Sequence, residues 1–101
     1  TNISNKYQNL GFALIYDEEI PKIKRLDPRS LNIYHKFIKK KSVVKIINPT
    51  NGKYLLAEVK SNRIKFSNFY NSVLSLRIAE ELNLNFSEPY VKIVLISNLK
   101  K

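Results

Sequence analysis

The sequence predicts an all-β domain, mainly β with one short helix, closed into a small barrel of about six strands. Three observations lead there. Short β-branched and apolar runs recur between polar breaks, as in residues 43–47 and 90–96. An Asn-Gly dipeptide, Asn51-Gly52, separates two such runs and is a strong short hairpin signal. Only one stretch, after Ser75, carries helical spacing. Several short strands with so little helix to cover their edges are best served by barrel closure, which leaves no edge exposed.

The 101 residues are enough for one domain with its own core. In order, residues 1–10 are polar, with Asn2, Ser4, Asn5, Gln8 and Asn9, and read as a loose arm; the domain proper is expected over 11–101. Residues 11–16 form a compact apolar run suited to a buried strand. Residues 17–29 are charged, hold Pro21 and Pro28, and read as a long connection. Leu31 and Ile33 alternate with polar neighbours and suggest a short strand entering His35.

Val43 to Ile47 is β-branched except for Lys45 and stops at Asn48-Pro49, since proline has no N–H for a ladder. Residues 54–59 read as the returning strand, with Leu55, Ala57 and Val59 on one face and Tyr54, Leu56 and Glu58 on the other. Residues 64–70 hold three aromatics in a polar setting and read as a loop plus a short strand. Ser75 is placed to cap a helix, along which Leu76, Ala79 and Leu82 fall near one face, with Ile78 beside them. Asn83 suits a left-handed helix end, and Leu84 can pack back on the last turn. Residues 90–96 close the fold.

A hydrophobic fraction of 44% with 26% charged residues argues against disorder. No apolar run approaches the roughly 20 residues of a membrane-spanning helix. The chain has no cysteine, hence no disulfide framework, thiol nucleophile or cysteine-bound zinc. The start is polar and opens on Thr1, which reads as a fragment or processed product whose targeting segment lies outside it. A formal charge of +10 favours an anionic partner, although lysine-rich coding bias produces the same excess. The cluster Lys39-Lys40-Lys41 sits between apolar segments and reads as a solvated turn.

Taken in order, these elements resemble the rare lipoprotein A (RlpA) family of bacterial envelope proteins. Gly11, Ala13 and Tyr16 fit its Gly-x-Ala-x-x-Tyr strand. His35-Lys36, Ile38, Ser42, Val44, Ile46 and Asn48 fit its His-Lys segment and valine-rich strand. Asn51-Gly52 fits its hairpin, and Leu74-Ser75, Ala79 and Leu82 fit its capped helix. The resemblance implies a double-psi β-barrel, a periplasmic or cell-envelope location, and peptidoglycan or another anionic glycan as partner.

It breaks at the acid. The family's return strand ends in Val-x-Asp-Arg-Gly-Pro, whose Asp is the presumed proton donor; here Val59 is followed by Lys60, Ser61, Asn62, Arg63 and Ile64. The family's Asp before Leu-Ser is replaced by Val73. Glycosidic cleavage needs a carboxylic acid of raised pKa at the leaving oxygen, which a serine hydroxyl cannot replace near neutral pH. No catalytic residue, metal ligand set or cofactor is therefore assigned. The expected groove comprises His35, Ser61, Asn62 and Arg63, with Tyr34 and Tyr70 as ligand-binding candidates and Tyr16, Phe66 and Phe69 as further stacking platforms.

The leading expectation is a glycan-binding module without activity. One alternative is a divergent lytic transglycosylase with a relocated acid. Another is a basic nucleic-acid-binding domain, for which no motif speaks. Oligomeric state is open at this point.

Overall fold

A computed structural model describes residues 7–20 and 22–97. Seven strands and one helix follow in the order β1 (Gln8–Phe12), β2 (Leu14–Ile15), β3 (Asn32–His35), β4 (Val43–Ile47), β5 (Tyr54–Ser61), β6 (Ser72–Leu74), α1 (Leu76–Glu81) and β7 (Tyr90–Ser97). They make one sheet in the order β1-β7-β4-β5-β3-β6-β2. The strands at the two ends of that order, β1 and β2, are consecutive in the chain, so the sheet curls into a nearly closed barrel. Most pairings are antiparallel, but β3 runs parallel to β5, and β2 parallel to β6.

Seven strands replace the six expected because the first apolar run is broken at Ala13. That residue leaves the ladder and donates its N–H to the Pro89 carbonyl at 2.8 Å, so the run pairs with β7 before the break and with β6 after it. Part of the expected polar arm is strand. Residues 1–6 lie outside the described residues, but Gln8–Leu10 belong to β1, paired with Lys92–Val94 of the long β7. Polar side chains do not bar a strand whose backbone can complete a neighbour's ladder. Strand β6 has no counterpart in the sequence reading; residues 64–70, expected to include a strand, form a loop.

The β4–β5 hairpin follows its sequence signals, with Ile47 opposite Tyr54 and Val43 opposite Glu58. Its turn is not the two-residue type that Asn-Gly often makes, since Asn51 does not take positive φ. Asn48 N–H donates to the Lys53 carbonyl and Gly52 N–H to the Asn48 carbonyl, both at 2.8 Å, closing a four-residue loop with Gly52 at φ +78°. Helix α1 starts at its Ser75 cap, whose side chain accepts from Ile78 N–H. It ends in a left-handed Asn83 (φ 56°), with Asn83 N–H donating to Glu80 and Leu84 N–H to Ala79.

Two apolar clusters result. The barrel interior is filled by residues such as Ile33, Val44, Ile46, Val59, Leu74, Ile93 and the helix residues Ile78, Ala79 and Leu82. A smaller cluster, Tyr16, Leu26, Tyr34 and Val73, lies beneath the 17–29 connection. Strands β3 and β6 form the wall between them, each sending one residue inward and the next into the smaller cluster.

Candidate functional site

His35 ends β3 and is buried, with 1% of its surface exposed. Its Nδ1 accepts hydrogen bonds from the backbone N–H groups of Phe37 and Ile38, each at 3.2 Å. An imidazole nitrogen that accepts carries no hydrogen, so the neutral ring holds its proton on Nε2. Nε2 is buried and has no hydrogen-bond partner among the described residues. The rings of Tyr7 and Phe37 meet the imidazole edge to face, at 5.2 and 5.0 Å between centroids. Burial, and then the adjacent Lys36 ammonium, push the His35 pKa down to about 4. The ring is thus a neutral donor at ordinary pH.

Above it lies a groove of about 360 Å³ lined by Tyr7, Asn9, Leu10, Gly11, His35, Lys36, Phe37, Asn68, Phe69, Tyr70 and Asn71. Strand β1 supplies one wall, the turn after β3 another, and the loop before β6 the third. Asn71 Nδ2 donates to Asn9 Oδ1 at 3.1 Å and binds the walls together. That crossing passes close over Gly11, where a Cβ would sit 3.4 Å from Asn71 Nδ2. Asn9 Nδ2 and the Asn68 amide keep their hydrogen-bonding capacity among the described residues. Phe37 and Phe69 are 60% and 65% exposed, unusual for large apolar side chains unless something covers them. An adjoining hollow of about 270 Å³ shares Phe69 and Tyr70 and extends past Phe12 to Phe86, so the concave surface is elongated.

Of the expected site residues, the groove brings together His35 and Tyr70. Ser61 does not line it; its hydroxyl accepts from Arg63 N–H at 3.0 Å in a local turn. Asn62 lies behind the Phe37 segment, donating from Nδ2 to the Phe37 carbonyl at 3.3 Å, and Arg63 is exposed outside the groove. Tyr34 is a core residue and not a stacking platform. It is 1% exposed, and its hydroxyl donates to the carbonyls of Lys24 and Arg25 at 3.2 and 2.9 Å, pinning the long connection. Tyr16 is buried in the same cluster, and Phe66 packs against it with Lys36 Nζ over its ring at 3.7 Å. Phe69, like Tyr70, lines the groove.

The amides of Asn9, Asn68 and Asn71, with Tyr7 and Phe37, escape sequence reasoning. Asn9 and Asn71 are 62 positions apart, and no local signal announces their meeting. The run of aromatics around Phe69 is the one cue in the sequence.

Electrostatically the groove is nearly neutral, with Lys36 its only charged side chain among the described residues. Lys36 is itself engaged, donating to the Phe66 carbonyl at 2.8 Å. None of the eight carboxylates of the chain lines the groove. Glu58 is exposed on the outer face of β5, opposite in alternation to the buried Val59. Among the described residues no three His, Cys, Asp or Glu side chains converge on a metal-sized site.

Fold and site together define a class: a small, nearly closed β-barrel domain carrying a neutral surface groove of aromatic rings and amides. Neither protein-family models nor curated proteins match this chain.

Proposed function

We propose that this domain is a glycan-binding module of the bacterial envelope, of RlpA-like type, without hydrolytic or transglycosylase activity, and that peptidoglycan occupies the His35 groove. The observation carrying this reading is the groove's composition. Exposed aromatic faces beside unengaged amides, with no carboxylate, suit a sugar's apolar faces and hydroxyls. Phosphate-rich ligands would call for more cationic lining than one engaged lysine provides. The elongated surface favours a strand over a single sugar.

The resemblance on His35-Lys36, Asn51-Gly52 and Leu74-Ser75 supports the envelope assignment. Silence follows from proton chemistry. A neutral His35 with a pKa near 4 is a poor proton donor to a leaving oxygen, and among the described residues no carboxyl group lines the groove to replace it.

The test is incubation with purified sacculi. The expected outcome is retention on the insoluble wall, weakened by Phe69→Ala, with no anhydro-sugar fragments released. Failure to be retained sinks the binding claim; released fragments sink the claim of silence.

A further inference from the structure

We propose that the barrel end opposite the hairpin turn is a docking platform for an anionic lipid surface, formed by Lys39, Lys40, Lys41, Lys60, Arg63 and Lys65. These residues come from two segments, the turn before β4 and the chain leaving β5, which the fold clamps side by side. Lys41 N–H donates to the Val59 carbonyl at 2.7 Å, and Val59 N–H to the Ser42 carbonyl at 2.9 Å. Asn62 Nδ2 reaches the Phe37 carbonyl, and Lys36 Nζ reaches the Phe66 carbonyl. Two basic loops are thereby fixed as one surface.

All six cations are exposed. None takes part in an ion pair among the described residues, where the pairs are Arg25–Glu18 and Arg77–Glu81. The sequence from 59 to 79 contains no acid, nor does that from 28 to 57; Glu58, the nearest carboxylate along the chain, pairs with none of them. A concentration of like charge costs self-repulsion, and an anionic partner relieves it. The six account for a third of the chain's 18 basic residues.

A bilayer surface fits better than a nucleic acid for two reasons. Five of the six are lysines, which act as point charges, whereas arginine's planar fork is the usual reader of nucleic acids. None of the six lines the His35 groove or the hollow beside it, so no charged channel tracks a polymer backbone. At the platform's margin Phe37, 60% exposed between Lys36 and Lys39, offers a ring able to enter the headgroup layer. No described helix is long and apolar enough to cross a bilayer. The platform meets the glycan groove at Phe37, which lines both, but none of the six cations lines the groove, so variants at the cations and at Phe69 act on the two surfaces independently.

Co-sedimentation with phosphatidylcholine vesicles, with and without phosphatidylglycerol, tests it. The unmodified chain is expected to sediment only with the anionic vesicles, and to be released at about 1 M salt, where screening shortens to roughly 3 Å. Lys39→Gln/Lys40→Gln/Lys60→Gln should lower the partition coefficient about a hundredfold, with retention on sacculi unchanged. Equal binding to neutral vesicles, no binding to anionic ones, or an unaffected triple variant overturns the proposal. So does a single-stranded oligonucleotide that displaces the protein from the vesicles at equal phosphate concentration. If thermal melting shows the triple variant to be unfolded, the comparison of the two vesicle types with the unmodified chain decides.

Discussion

Strands β3 and β5 lie side by side in parallel, yet they are built on opposite plans. Strand β5 has one buried face, with Ala57 and Val59 in the barrel, and one exposed face, with Tyr54, Leu56 and Glu58. Strand β3 is buried on both faces: Ile33 points into the barrel and Tyr34 into the smaller cluster under the 17–29 connection. The difference follows from what covers each strand. β5 meets solvent outside, while β3 is roofed by a connection that Leu26 and the Tyr34 hydroxyl hold down. A two-sided strand makes a firmer floor for a site, and His35 stands at its end.

The largest difference between the two strands is expected at Tyr34. Tyr34→Ala should destabilise the domain by about 3–5 kcal/mol in denaturant titration, the usual cost of emptying a large buried site. Leu56→Ala, on the exposed face of β5, should change stability by less than about 0.5 kcal/mol. Similar losses from both would mean that β3 is not walled on two sides.

The end of the same strand gives the next effect. Since the His35 pKa falls from 6.5 to about 4 on folding, the unfolded chain binds this proton more readily than the folded one. His35 therefore contributes fully above about pH 6.5, and that contribution is lost progressively as pH falls toward 4. The loss should be on the order of 3 kcal/mol. His35→Gln removes this titration. Its stability relative to the unmodified chain should therefore improve as pH drops through the window, and a constant difference across it would show that His35 is not held neutral by burial.

A smaller loss than at Tyr34 or His35 is expected at the hairpin that fixes β5. Gly52→Val should cost roughly 1–2 kcal/mol, because a β-branched residue is strained at positive φ. Gly52 sits at φ +78°, and no atom lies within 4 Å of where a Cβ would stand, so only backbone strain can act. An unchanged melting temperature would show that the loop relaxes away from the left-handed conformation at no cost.

Alternation made β5 legible, since a half-exposed strand writes its two faces into the sequence with period two. It could not mark Ser72–Leu74, which is buried throughout and only three residues long. Tyr34 misled for a related reason: beside a histidine expected to line a groove, a tyrosine reads equally well as a platform or as core. Ser61, Asn62 and Arg63 were placed by the family register. Whether their side chains enter a groove depends on how the 36–41 turn lies over them, which register along one strand does not specify.

The β-rich class, the β4–β5 hairpin, the Ser75 cap and the Asn83 stop are all legible in the chain read alone. Each is written in residues a few positions apart, where turn preference and capping bonds act locally. The parallel pairings β3–β5 and β2–β6, the meeting of Asn9 with Asn71, the burial of His35 and the gathering of two basic loops at one end emerge from long-range packing. These join segments far apart in the chain, and their loop-closure entropy is offset only when the whole barrel closes over its core.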